Sequence, residues 1–411
     1  MTSTAVSAGP SRSYYVKFVL LLVLWVAVLM YVATMIVPDG YWYSYFSVDY
    51  TQGFIRRGLA GEILGLFPDD QYFVGLAVLR WIPTLLFTLG LAAVAWSITV
   101  RTGGSERSWL LALLIPVLPF GFAFGLFSAR TDLLGATALT VFAIAVATVN
   151  TRRATLIVCS IYGVATAVLP LIHEATVFLF GLGTIAALTV LARGLSTGAF
   201  RVCAALAVGP GIVAALAVTV FGGRGKSAAL CQMVPHGGMN HPMAGNPTPE
   251  QLLRGFYYEV DYHEWMCRAI LPLFDQSFSD ALRFVGSIGV VALLGSTVYG
   301  LVLLAVSMYA IGEVSGVPVA RFRDALMARR AAIVVGVVLI LPVFLSGVDW
   351  IRWWVIIAYD LGIVFLLFAG VRPDIDQPPT RRSVRVLTVV AIVLALIPMG
   401  IIPGFGAPVP M

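Results

Sequence analysis

Apolar runs of about twenty residues recur along almost the whole chain, and the short breaks between them carry most of its arginines. A bilayer core about 30 Å thick needs roughly 20 apolar residues per helix. The runs at 17–37, 73–100, 108–127, 131–150, 155–172, 175–192, 201–221, 285–311, 331–346, 352–370 and 384–402 match that length. They predict an all-α polytopic membrane protein with about eleven transmembrane helices. Charged residues make up only 11% of the 411, against about 25% in a soluble domain. Too little polar surface remains to coat a water-soluble globule, which excludes a soluble enzyme, a nucleic-acid reader and a disordered hub together.

Residues 1–16 read as a cytoplasmic tail and 17–411 as a single transmembrane domain, interrupted by one extramembrane insertion at 222–284. The first run is longer than a signal-peptide core and no small-residue cleavage pattern follows it, so it is expected to stay as an anchor. Pro116 and Pro119 must kink or break the third run. The fifth and sixth runs are joined so tightly that His173 and Glu174 fall at the turn of a helical hairpin.

Orientation follows from the lysine and arginine asymmetry. With the N-terminus inside, one side collects 16 of the 26 basic residues and five of the 20 acidic ones, a balance of +11. The remainder of the chain, ten basic and fifteen acidic, balances at −5. Every loop obeys that single assignment, which is N-in and C-out. Lys17 and Lys226 are the only lysines, and with abundant Ala, Val and Gly the composition is that of a GC-rich bacterium. The expected location is therefore a bacterial inner membrane.

Under this topology Asp49, Arg56, Arg57, Arg130, Asp132, His173, Glu174, Asp349 and Arg352 all fall at the external membrane edge, from four different loops. Ionisable groups there are candidate site residues. Phe54, Ile55, Leu59, Ile63 and Leu64 recur near helical spacing, predicting an amphipathic helix in the outer interface. Arg56 and Arg57 sit on the side that ordinarily lacks arginine, with Gly53, Gly58 and Gly61 permitting close approach. Paired guanidiniums suit phosphate oxygens. Asp132 also has the position of a helix cap with Arg130 as its partner. Asp349 and Arg352, three residues apart among Trp350, Trp353 and Trp354, can share one helical face. Asp360 lies roughly 12 Å deeper on the same helix, at 1.5 Å per residue, where an acid tunes the site or carries protons.

Of the four cysteines, Cys159 and Cys203 lie within apolar runs and Cys231 and Cys267 within the insertion. The latter are a candidate disulfide on an oxidising face, worth about 3–4 kcal/mol in the chain-entropy account. The insertion also interleaves Lys226, His236, His241, Asp261, His263 and Glu264 with Phe256, Tyr257, Tyr258, Tyr262 and Trp265. Such residues line carbohydrate sites and make ordinary interfaces alike. No Cys-x-x-Cys or His-Glu-x-x-His spacing occurs, so no zinc site is expected, and no motif supports a divalent metal or another cofactor.

The layout resembles the GT-C glycosyltransferases: an aspartate shortly after helix one, an amphipathic segment behind it, and an eleven-helix N-in bundle. Gln52-Gly53-Phe54-Ile55-Arg56-Arg57-Gly58-Leu59, Arg130-Thr131-Asp132, His173-Glu174 and Asp349-Trp350-Ile351-Arg352-Trp353 also resemble bacterial surface-polysaccharide membrane proteins. The paired acids frequent in the first loop of GT-C enzymes are absent around Asp49, although Asp69-Asp70 supplies a pair later. The resemblance implies transfer of a sugar from a polyprenyl-phosphate donor to a cell-envelope glycan or glycolipid on the external face. It implies Asp49 as general base, Arg56, Arg57, Arg130 and Arg352 on the donor phosphate, and His173 and Glu174 positioning the acceptor. A polymerase or ligase of the O-antigen type is one alternative. Another is a proton-coupled transporter or flippase using Asp360, Glu174 and Asp132. The bilayer, lipid-linked donor and glycan acceptor are the expected partners, with no nucleic acid.

Overall fold

Hydrocarbon offers no partner to a free N–H or C=O, so an apolar run in a membrane satisfies its backbone internally as a helix. In a computed structural model, which describes residues 11–35, 42–128, 130–241, 248, 250–251 and 258–397, the apolar runs form helices over their described parts, with breaks in those at 108–127 and 285–311. Phe256, Tyr257, most of the N-terminal tail and the C-terminal end to Met411 lie outside the described residues, as do the side chains of His241 and Tyr258.

The main helices are α1 (Arg12–Met35), α2 (Gly58–Leu64), α3 (Tyr72–Arg101), α4 (Glu106–Leu114), α5 (Phe122–Phe127), α6 (Asp132–Thr148), α7 (Arg152–Ile172), α8 (Thr176–Val190) and α9 (Thr197–Phe221). After the insertion come α10 (Phe278–Ile288), α11 (Val290–Ser315), α12 (Val319–Met327), α13 (Arg330–Ser346), α14 (Trp350–Ala369) and α15 (Arg381–Leu396). Among the described residues, seven helical segments are long and apolar enough to cross a membrane, and α12 with α13, bent by 94°, makes an eighth if counted as one span. The apolar helices α6 and α8 are shorter.

Packing centres on α14, which is buried along most of its length against α11, α8, α6 and α3. By contrast α1 exposes most of its apolar surface. It is tied to α15 by Tyr14 Oη with Thr388 Oγ1 (3.0 Å) and by Trp25 Nε1 donating to the Ala395 carbonyl (3.2 Å). Pro116 and Pro119 end α4 at Leu114, and the chain passes through a 3-10 turn before α5.

Three expectations need correction. The segment after α1 is not a continuous interfacial helix, because only Gly58–Leu64 is helical, and Gly58, Ala60, Gly61 and Leu64 are buried. A Cβ on Gly61 would lie well inside van der Waals contact of the Val48 carbonyl oxygen, so this short helix packs tightly on the preceding turn. The run at 285–311 is broken at Gly289, whose φ of +88° separates amphipathic α10 from α11. The insertion adds an antiparallel hairpin of β1 (Gly238–His241) and β2 (Tyr258–Asp261), so the fold is not purely α.

The connections gather at two opposite ends of the bundle. One end carries the α7–α8 turn with His173 and Glu174, the starts of α6 and α14, the segment before α2, and the insertion. At the other, Arg193 donates to Asn150 (3.0 Å), Arg321 pairs with Asp374 (2.6 Å) and Arg382 with Glu313 (3.4 Å). There Arg107, buried, donates to the carbonyls of Glu313, Val314, Gln377 and Pro378 and to Ser383 Oγ.

Candidate functional site

Arg57, the residue just before α2, is the only described non-glycine residue with positive φ (65°). A side chain in that conformation costs on the order of 1 kcal/mol and persists where surrounding contacts over-determine it. Those contacts are explicit. Arg57 Nε and NH2 donate to the two carboxylate oxygens of Glu174, both at 3.0 Å, and the guanidinium lies 5.2 Å from the Tyr45 ring centroid. Arg56 NH1 stands 3.9 Å from the same carboxylate, donates through NH2 to the Leu273 carbonyl, and stacks over Phe274 at 4.9 Å. The insertion clasps this segment further: Gly223 N donates to Phe54 O (2.8 Å), and Lys226 Nζ to Gln52 O.

A second ion-paired group lies across the turn at 42–46. Arg130 pairs with Asp349 at 2.5 Å, Arg352 donates through Nε to Asp349 at 2.8 Å, and Arg352 NH1 reaches Asp132. The turn joins the two groups with aromatic rings. Trp42 meets the Arg130 guanidinium at 5.4 Å, while Tyr45 stacks on His173 at 5.8 Å and also contacts Arg57. Within the pair of groups, four guanidiniums meet three carboxylates. Ser128 Oγ, Thr131 Oγ1 and Asp132 Oδ1 are buried beside them with no hydrogen-bond partner among the described residues. Buried polar atoms are nearly always paired, with protein, water or ligand, so this corner is chemically suited to a polar guest.

Electrostatics divide His173 from Glu174. Burial lowers the His173 imidazole to about 4, and the charges of Arg57 and Arg130 act in the same direction against the attraction of Glu174. The ring is therefore neutral at physiological pH, and its Nδ1 accepts from Ala175 N at 3.3 Å. Burial alone would raise the Glu174 carboxyl, but Arg57, with Arg56 beside it, holds it well below the usual carboxylate range. Glu174 is thus an ionised counter-charge, poor as a proton acceptor.

Of the residues expected at the site, Arg56, Arg57, His173, Glu174, Arg130, Asp132, Asp349 and Arg352 come together. The expected pairing of Arg352 with Asp349 is present, but Arg352 also takes Asp132, while Arg130 takes Asp349 instead of Asp132. Asp49 is half-buried outside these ion pairs. Its carboxylate accepts from Thr51 N (3.0 Å) and Thr51 Oγ1 (2.5 Å), and it makes no ion pair among the described residues. Its backbone packs against Gly61 in the first turn of α2, the helix that Arg57 precedes. Asp360 stands apart in the bundle interior, fully buried, with Oδ2 accepting from Gly183 N at 2.9 Å and Oδ1 unpartnered among the described residues. Cys231 and Cys267 are disulfide-bonded with Cα atoms 5.2 Å apart, in the insertion. Sequence reasoning missed Trp42, Tyr45 and Phe274, which separate and shield the guanidiniums. The aromatic run Trp42-Tyr43-Ser44-Tyr45-Phe46 was the available signal.

Residues 15–395 match the family described as uncharacterised membrane protein Rv1490. Proteins of Mycobacterium bovis and Mycobacterium tuberculosis, described as uncharacterized proteins Mb1527 and Rv1490, are 38% identical to the chain over 384 residues, covering 92% of it and 88% of their own length. No solved structure matches the chain.

Proposed function

Given that the chain belongs to the Rv1490 family of membrane proteins, matched along nearly its whole length, we propose that it is a glycosyltransferase taking a sugar from a polyprenyl-phosphate donor. The setting is a multi-pass protein of the bacterial inner membrane, with eleven spans, N-in and C-out, and the arginine-rich end outward. The acceptor is a cell-envelope glycan or glycolipid. One observation carries this reading: Arg56, Arg57, Arg130 and Arg352 converge on one end of the bundle around three carboxylates. Charges in that position are expensive unless paired with one another or with a charged ligand. A lipid phosphate supplies a further anion, and its bidentate geometry suits guanidinium.

In this chemistry the anomeric carbon loses its bond to the phosphate oxygen and gains one to the acceptor oxygen. The electron pair leaves on the phosphate, where the arginines stabilise it. The acceptor hydroxyl proton passes to a carboxylate. Asp49 is the general base for that step because no arginine holds it among the described residues, whereas Glu174, Asp132 and Asp349 are ion-paired. The unpartnered hydroxyls of Ser128 and Thr131 suit sugar hydroxyls. The exposed apolar face of α3 formed by Phe73, Val78, Trp81 and Leu85 suits a prenyl chain.

The test uses the reconstituted protein and short-chain polyprenyl-phosphate sugars. Asp49→Asn should lower transfer by about 10²-fold or more, as removal of a general base does, while donor binding persists. Arg352→Ala and Arg56→Ala should weaken donor binding itself. Donor binding no stronger than to a neutral prenol would end the proposal. The transporter alternative draws support from the buried carboxyl of Asp360, and Asp360→Asn abolishing activity while Asp49→Asn spares it would favour that alternative.

A further inference from the structure

His263 is fixed on three sides. Its backbone N–H donates to Asp261 Oδ1 at 2.9 Å, its ring stacks on His236 at 4.1 Å, and its Nδ1 lies 2.7 Å from the Val234 carbonyl. A carbonyl only accepts, so Nδ1 carries the proton and Nε2 keeps its lone pair. That lone pair faces Cys231 Sγ at 3.7 Å. A disulfide sulfur has no hydrogen to offer it, so in the oxidised protein the imidazole lone pair is aimed at a group that cannot donate. His263 and Cys267 are four residues apart on one helical turn, and Cys231 reaches them from the start of the insertion. The three ligand atoms lie within 4.8 Å of one another, and all three residues are half-buried.

We propose that the reduced form of this cluster is a binding site for a thiophilic divalent cation such as Zn²⁺, with Cys231, Cys267 and His263 Nε2 as its three protein ligands. The oxidised form has no such site, because both sulfurs are engaged with each other. Reduction requires a thiol or dithiol from outside the protein: the S–S bond takes two electrons and two protons while the reductant becomes a disulfide. The metal then displaces one proton from each thiol, so binding of one cation releases two protons. With Zn–S near 2.3 Å and Zn–N near 2.0–2.1 Å, two sulfurs on a tetrahedral cation stand about 3.8 Å apart, so reduction must come first and the side chains then separate. The Nδ1–H bond to Val234 is the outer-shell contact that fixes the ligating tautomer and orients the ring. Three protein ligands leave the fourth position to solvent. The cation would then tie Cys231 to the helical turn of Cys267, and so support the Leu273 and Phe274 contacts with Arg56, when the disulfide cannot. Spacing alone hides the site, because one ligand is supplied from thirty-two residues away from His263.

The experiment uses the full chain in nanodiscs, reduced with a phosphine and freed of reductant under argon. Co²⁺ is the probe. The reduced protein should take up one Co²⁺ per chain with sulfur-to-metal charge-transfer absorption, lost on adding Zn²⁺, and the oxidised protein should take up none. His263→Ala, which keeps the disulfide and is checked for folding before reduction, should weaken uptake at least tenfold, while His236→Ala should not. Absence of stoichiometric uptake by reduced protein, equal uptake by oxidised protein, or unchanged affinity in His263→Ala would each overturn the proposal.

Discussion

His173 offers the most quantitative handle on the arginine-rich end. Its imidazole titrates near 6.5 in an unfolded chain and at about 4 in the fold, where burial and the charges of Arg57 and Arg130 oppose protonation. Between those values the unfolded state binds more protons than the native one, so stability rises with pH. The contribution is fully present above the unfolded value and is lost as pH falls from 6.5 toward 4. Each tenfold difference in proton affinity between the two states is worth about 1.4 kcal/mol. Integrated over pH, the lost stability is about 2 kcal/mol at pH 5 and approaches about 3 kcal/mol in stronger acid. His173→Asn removes the titration while retaining a short side chain that can accept from Ala175 N. Unfolding free energies from detergent titration in mixed micelles at pH 7 and pH 5 isolate this contribution. The wild-type protein should lose about 2 kcal/mol more than the variant between those two conditions. Equal losses in the two proteins, or a histidine NMR titration midpoint near 6.5 for residue 173, would refute the reasoning.

Glu174→Gln should destabilise the protein by about 1–3 kcal/mol in the same assay. That is less than for a fully buried pair, since Arg57 and Glu174 are each 24% exposed. Gly61→Ala should cost about 1–3 kcal/mol, because the new methyl collides with the Val48 carbonyl. It should also lower transfer, since relief requires moving the turn that carries Asp49. Reporter fusions after Asn150 and after Met411 should fall in opposite compartments, and matching compartments would contradict the eleven-span topology.

Much of this architecture was legible because hydrocarbon is an unforgiving solvent. Twenty apolar residues with no internal charge have few alternatives to a helix, and Pro116 with Pro119 leaves a helix no way to continue. Residues expected together from separate loops also meet: Arg57 with Glu174, and Arg130 and Arg352 with Asp349 and Asp132. Pairing was less legible. Arg352 reaching Asp132 and Arg130 reaching Asp349 depends on which helix starts are neighbours, information that no single loop contains. The left-handed backbone of Arg57 is equally invisible, since nothing in Ile55-Arg56-Arg57-Gly58 marks the arginine instead of the glycine for positive φ. Arg107 reads as one more cytoplasmic anchor, and only the fold shows it buried among carbonyls. Arg80, four percent exposed within α3 and donating to the Ala33 carbonyl, gave no signal either.

Arg107 gives the opposite end of the bundle a fastening of another kind, beside its ion pairs of Arg321 with Asp374 and Arg382 with Glu313. At the arginine-rich end, cohesion comes from carboxylates that acid can neutralise, salt can screen and a competing anion can replace. Arg107 instead holds the end of α11, the segment at 377–378 and the start of α15 through neutral oxygens. Carbonyls neither titrate in the physiological range nor exchange with phosphate. A ligand that prises apart the ion pairs at one end therefore leaves this fastening untouched.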